Sequence, residues 1–233
     1  MNPETDLNVP DRIRILLVDD QDLLRRSMRI AIDREGDLDV VGEASTGNGA
    51  VTAAQELHPD VVLMDIRMPD GDGIHATERI SASPDLAHTR VLMLTMHELD
   101  EYVYGALRAG ASGFLLKDAT PDQLIDAIRR IHRGEGLFAP TVLTRLIEHY
   151  VHQPQPTPSL PAGQLTARET EILVLIARGL SNPEIARHLT VSINTVKTHV
   201  SRLHTKLHAR DRAQLVIAAY ERRLVTVDSP TPD

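Results

Sequence analysis

The chain has 233 residues, of which 42% are hydrophobic and 25% charged, the balance of an ordinary globular protein with room for two compact domains. It contains no cysteine, which excludes disulfides, iron–sulfur clusters and thiolate zinc sites and agrees with a reducing compartment. The formal charge of −8 is unevenly spread, −11 through residue 150 and +3 beyond it, as for an acidic domain tethered to a segment able to approach phosphate. The start, MNPETDLNVPDR, has acids and prolines where a secretion signal needs a basic start and an apolar run. The longest apolar runs, ILLV at 15–18 and VVLM at 61–64, fall far short of the ~20 residues of a membrane helix. A cytoplasmic location with no membrane partner is expected.

Residues 12–133 alternate short apolar runs with helical periodicity, which predicts an α/β domain built on a five-stranded parallel, doubly wound sheet. Strands are expected near 13–18, 39–43, 61–65, 91–95 and 113–116, and helices over 21–34, 47–57, 72–81, 99–109 and 121–133. The last helix is the best punctuated, with Thr120 at the N-cap, Pro121 at the first helical position and Gly134 just past the end. Residues 134–164 hold an amphipathic piece at 140–150 and then HQPQPTPSLPAG, whose prolines and polar residues mark a linker. Over 165–226 the patterns at 166–178, 182–189, 193–207 and 211–221 predict a small all-α domain of four helices.

Asp19 and Asp20 close the first expected strand and Asp65 the third. In an open parallel sheet, ligands collect beyond the carboxyl ends of the strands, so these three carboxylates should converge. Such a cluster needs a cation to stay ionised, and hard oxygen ligands with room for water suit Mg²⁺. Thr95 ends the fourth strand and Lys117 follows the fifth, adding a hydroxyl and an ammonium of the kind that holds a phosphoryl oxygen. Singly, each of these is an ordinary strand-end or turn residue; the constellation is what is specific. Only three of the 25 basic residues are lysines, Lys117, Lys197 and Lys206, in a chain that otherwise uses arginine. A compact ammonium is not interchangeable with a guanidinium fork.

The acidic pair in LLVDDQ, the Asp in VVLMDIRMPDGDG, the Thr in VLMLTM and the Lys in GFLLKDA resemble, in type, order and spacing, the receiver domain of bacterial two-component systems. The resemblance covers about residues 12–133 and implies a flavodoxin-like fold. It further implies that Asp65 takes a phosphoryl group from a sensor histidine kinase, and that Asp20, Asp65 and the backbone carbonyl of Arg67 bind Mg²⁺. Asp19 would act through a metal-bound water, Lys117 and Thr95 would each meet a phosphoryl oxygen, and Phe114 would be the aromatic switch residue. Asp118 stands where that family commonly has proline, which leaves the isomer of the 117–118 peptide open.

In the second domain, Ser181 or Asn182 can cap a helix that has Pro183 in its first turn, and after TVS a second helix begins near Ile193. On the latter, Val196, Val200, Leu203 and Leu207 form one stripe and a small-polar-plus-basic set forms the opposite face, as suits a helix entering a major groove. LTARE, GLSNPEIARHL and TVKTHVSRLHTKL are similar to the LuxR-type helix-turn-helix of the NarL/FixJ class of response regulators. That resemblance implies that residues 193–207 form the recognition helix, with Lys197, Thr198 and Ser201 facing bases. Asn182, Thr195, Arg202 and Lys206 would then touch DNA, the last three as phosphate contacts. Leu215, Ala218 and Ala219 on the final helix would contribute to a homodimer formed on phosphorylation or on binding promoter DNA.

The expected function is therefore a phosphorylation-switched transcription regulator, not a turnover enzyme; its chemistry would be limited to its own phosphotransfer and dephosphorylation. The unphosphorylated receiver is expected to dock over the recognition helix. Two other readings fit less of the chain. An aspartate-based phosphohydrolase would carry its nucleophile on the first strand in a D-x-D pattern, whereas here the aspartates of that strand are adjacent. A ligand-sensing LuxR-type regulator would lack Asp19, Asp20, Asp65, Thr95 and Lys117.

Overall fold

The computed structural model describes residues 12–68, 73–96, 100–135, 165–207, 209–222 and 224–225. The expected helix at 140–150 and the proline-rich linker lie outside the described residues. The first domain runs β1 (Ile13–Val18), α1 (Asp22–Ile32), β2 (Leu38–Ala44), α2 (Gly47–Leu57), β3 (Val61–Asp65) and α3 (Gly73–Ala82). A short 3₁₀ turn (Pro84–Leu86) leads to β4 (Arg90–Thr95), α4 (Asp100–Ala109), β5 (Gly113–Leu116) and α5 (Pro121–His132). The second domain is α6 (Ala167–Ala177), α7 (Asn182–His188), α8 (Ile193–Leu207) and α9 (Arg212–Glu221).

All strand pairs are parallel, in the order β2-β1-β3-β4-β5. Strand periodicity sorts the side chains into two layers. Ile13, Ile15 and Leu17 of β1, Leu63 of β3 and Leu92 and Leu94 of β4 pack with Met28 and Ile32 of α1 and with Ile125, Ile128 and Ile131 of α5. Their neighbours Leu16, Val18, Val62, Met64, Val91 and Met93 face the opposite way, against Ala50, Val51 and Ala54 of α2 and Ala76 and Ile80 of α3. Because both faces are covered, β3 is apolar almost throughout and ends on Asp65. The sheet order reverses between β1 and β3, and the carboxyl ends of those two strands carry the aspartates.

Helix ends follow the side-chain chemistry. Thr120 and Gln123 form a capping box on α5, and Thr166 and Glu169 another on α6. The Ser181 N–H and hydroxyl both donate to Glu184 at the start of α7. The turn from α7 into α8 passes through Thr190 at φ 53°, a left-handed conformation uncommon for a β-branched residue. Among the described residues no peptide bond is cis, so the 117–118 bond is trans. No helix of the described residues is long and apolar enough to cross a membrane.

Ile172, Leu173, Ile176, Ile185, Val196, Leu203, Leu215 and Ala219 form the core of the second domain. Leu215 and Ala219 are fully buried there, and Ala218 is half-buried, so core packing takes most of this apolar set. The same core receives Leu107 from α4 of the first domain, 1% exposed, and Phe114 packs against both this cluster and the core of the first domain. The Gln214 side chain donates to the Leu107 carbonyl at 3.0 Å, and Arg210 donates to the carbonyl of Ser81. Asp211 caps α9 by accepting from the Gln214 N–H at 3.1 Å and is 1% exposed. Its burial pushes the carboxyl pKa up, opposed by Ser112 and by the charge of Arg90.

Among the described residues the two domains thus meet through α9 and the residues just before it. Thr195, Lys197, Thr198, Ser201 and Arg202 are all exposed, which overturns the expected docking over α8. The physical reason is that α9 and its approach offer Gln214 and the buried Asp211 to the first domain, Asp211 beside Arg90 at the start of β4 and Ser112 before β5.

Candidate functional site

Three short connections bring the acidic rim together. Asp19 is fully buried at the end of β1; its Oδ1 accepts from the Gln21 N–H at 2.8 Å. Asp20 follows it and is exposed. Asp65, 5% exposed, ends β3, and its Oδ1 accepts from the Arg67 N–H at 3.3 Å. Each of the three acids offers an oxygen within 4.8 Å of the others'. The Lys117 ammonium reaches in from beyond β5 and lies 2.7 Å from Asp19 Oδ2 and 2.7 Å from Asp65 Oδ2. Its side chain is only 3% exposed, so one buried cation bridges two buried anions.

Burial is the largest influence on Asp65 and, with the nearby Asp19 charge, outweighs the Lys117 and Arg67 hydrogen bonds, so its carboxyl pKa lies above the ordinary value. Burial alone would lower the Lys117 pKa; hydrogen bonds and charge from Asp19 and Asp65 more than reverse this, and the ammonium is held above its usual range. Asp20, Gln21, Asp65, Ile66, Arg67, Thr95, Met96 and Lys117 line one cavity of about 160 Å³ at this rim. An all-oxygen set of carboxylates facing such a cavity fits a hard divalent cation with retained water.

Gly73 was not singled out in the sequence, yet the site depends on it. Its N–H donates to the Ile66 carbonyl at 3.0 Å, and a Cβ there would come within 1.9 Å of the Asp65 carbonyl oxygen. No side chain fits, because α3 starts directly against the backbone of Asp65. The glycines of PDGDG are the signal that could have found it.

In the second domain, Ser192 caps α8, its hydroxyl accepting from the Thr195 N–H at 3.1 Å. Asn182 is half-buried and its Oδ1 accepts from Arg212 at 3.1 Å; the same guanidinium also holds the Leu180 carbonyl. Arg212 therefore braces the turn before α7, a role that a lone arginine after an aspartate does not advertise. Lys206, expected at a phosphate, lies 2.8 Å from Glu169 Oε2. That ion pair ties α8 to the capping box of α6.

The Lys206 hydrogen bond, followed by the Thr166 N–H, holds the Glu169 pKa at about 2, from 4.5. A depressed carboxyl contributes stability that is complete above the unfolded value and lost as pH falls toward the folded one. Glu169→Gln should therefore melt below wild type at neutral pH, and the gap should close between about pH 4.5 and 2, read as melting temperature against pH. A gap independent of pH would mean that the pair contributes nothing through its charge.

The receiver-domain model of response regulators matches residues 15–129, and that of the bacterial regulatory proteins of the luxR family matches residues 163–219. The chain is 41% identical over 216 residues to the uncharacterized transcriptional regulatory protein YxjL of Bacillus subtilis, covering 92% of this chain and 98% of that one. It is 41% identical to the response regulator protein VraR of Staphylococcus aureus, covering 91% and 99% respectively. A crystal structure of a LuxR-family two-component response regulator from an Aurantimonas species superposes with TM-score 0.54 at 34% identity, over 60% of this chain and 99% of that one. The chain belongs to the response regulators that join a receiver domain to a LuxR-type DNA-binding domain. It is a transcriptional regulator of two-component type.

Proposed function

We propose that Asp65 is the phosphoryl acceptor, that Asp19, Asp20, Asp65 and the Arg67 carbonyl hold Mg²⁺, and that the donor is a sensor histidine kinase. The observation that carries this reading is the meeting of Asp19, Asp65 and Lys117 within 2.7 Å contacts, on a cavity that Asp20 and Thr95 also line. The cation would supply charge neutralisation for the incoming phosphoryl oxygens. An Asp65 oxygen attacks phosphorus, the bond to the donor nitrogen breaks, and an acyl phosphate forms. Lys117 is positioned to leave Asp65 and follow the new charge, and Thr95 to bond a second phosphoryl oxygen. The test is intact-mass analysis of the full chain after incubation with acetyl phosphate and Mg²⁺; a single phosphoryl adduct is expected, and none forming would overturn the assignment.

The exposed Lys197, Thr198 and Ser201 of α8 read bases, Thr195, Arg202 and Lys206 contact phosphates, and Asn182 also touches DNA. Two chains occupy paired half-sites as a homodimer. The acceptor end of β4 and β5 carries Thr95 and precedes Lys117; the other end carries Arg90 and follows Ser112, beside the buried Asp211. A strand of this length spans roughly 16–20 Å, so a shift of β4 and β5 at the phosphoryl rim is transmitted to the α9 seam by rigid elements. Phosphorylation would thus free the DNA-binding domain by loosening α9. Leu107→Arg, which buries a charge in that seam, should raise the radius of gyration in solution scattering and strengthen DNA binding by the unphosphorylated protein. A variant as compact as wild type and equally weak on DNA would sink the coupling.

A further inference from the structure

On α1, Arg25 belongs to no motif of the sequence. In the folded chain its side chain is only 13% exposed and each guanidinium nitrogen has a different acceptor. Nη1 donates to the Asp19 backbone carbonyl at 2.6 Å, Nη2 to Asp22 Oδ1 at 2.8 Å and Nε to Glu43 Oε2 at 3.2 Å. Glu43 is also held by Arg29 at 2.6 Å, so the acceptor on β2 is itself fixed. Arg29 first, against burial, and then Arg25 keep the Glu43 carboxyl below its ordinary pKa.

The geometry decides what this clamp acts on. The Asp19 side chain is already secured, by the Gln21 N–H at one oxygen and by Lys117 at the other. Asp20 is exposed, and among the described residues its carboxylate has no hydrogen-bond or ion-pair partner. Its direction therefore depends on the plane of the peptide that precedes it. That plane carries the Asp19 carbonyl, and Arg25 holds it. We propose that Arg25 is a positioning residue for the cation site: by clamping the Asp19–Asp20 peptide it aims the Asp20 carboxylate into the cavity shared with Asp65.

Two effects of Arg25 on a bound cation oppose each other. Its charge repels the cation, whereas its hydrogen bond preorganises a ligand. Asp22 and Glu43 neutralise much of the charge locally, which leaves positioning as the larger effect. Arg25→Lys separates the two, since it keeps the charge but cannot supply three directed donors.

This inference rests on the proposed cation role of the acidic rim, and one experiment distinguishes the two failures. Mg²⁺ binding to the unphosphorylated full chain is measured by titration calorimetry for wild type, Arg25→Lys and Arg25→Met, with thermal melts in chelator to establish that each is folded. Arg25→Lys and Arg25→Met should both bind Mg²⁺ about tenfold or more weakly. A merely structural role would lower the melting temperature and leave the Mg²⁺ affinity of the folded protein unchanged, which overturns the proposal. Tighter binding by Arg25→Met would overturn it too, in favour of simple repulsion. If Arg25→Met does not fold, Arg25→Lys decides alone. Wild type that takes up no Mg²⁺ overturns the cation reading and this inference with it; wild-type binding matched by the variants overturns this inference only.

Discussion

Asp65→Asn should abolish phosphoryl uptake and leave the fold intact. A carboxamide matches the carboxylate in shape and can still accept from the Arg67 N–H, but it has no nucleophilic oxygen at neutral pH. The stability consequence has a sign that is less obvious. Burial and the Asp19 charge disfavour the Asp65 anion, whose pKa is raised, and Lys117 retains Asp19 as a partner after the change. The variant should therefore melt no lower than wild type in chelator while giving no phosphorylated species by intact mass with acetyl phosphate. A phosphorylated species that persists in Asp65→Asn would show that another group is the acceptor. This is the trade expected of a functional site, where a charge is kept for chemistry at the expense of stability.

Lys117→Met is the second large effect. It removes the single cation between two carboxylates that are almost fully inaccessible to solvent, Asp19 and Asp65. Breaking a buried pair from one side costs about 3–5 kcal/mol, because the anions left behind are neither solvated nor paired. In chelator the variant should melt well below wild type. Added Mg²⁺ should raise its melting temperature by more than it raises that of wild type, since a cation that no longer competes with an ammonium binds more tightly and stabilises by mass action. Equal responses to Mg²⁺ in the two proteins would mean that Lys117 and the cation do not share the rim. In the same variant the acyl phosphate, if formed, would lack its ammonium partner and should fail to strengthen DNA binding.

The parts of this molecule that were legible in the sequence are those governed by local periodicity or by topology. Alternation in β1, β3 and β4 assigns successive residues to opposite faces, and the βα order forces a parallel sheet. Once the sheet is parallel, Asp19, Asp20 and Asp65 must emerge at one rim, because all strands point the same way. The capping signals at Thr120 and Thr166 are equally local. The two faces of α8 are local too: Val196 and Leu203 are buried, and Thr195, Lys197, Thr198, Ser201 and Arg202 are exposed.

What the sequence misassigned or passed over depends on residues far apart in the chain. Leu215 and Ala219 look like a spare apolar surface until α6 and α8 close over them. Lys206 reads as one more basic side chain of α8, and its bond to Glu169, 37 positions earlier, is not visible in the local pattern. Arg25 belongs to no motif, yet Glu43 and the Asp19 carbonyl surround it. The docking of α9 rather than α8 on the receiver turns on Gln214 meeting Leu107 across 107 residues. By itself the sequence determined the two folds, the acidic rim and the two-faced helix at 193–207, because periodicity and strand direction fix these without reference to distant partners. Only the tertiary structure decided which charges are held in reserve, which apolar surface is core and which helix the receiver grips, since each of these is settled by desolvation and by hydrogen-bond geometry between segments that no local pattern relates.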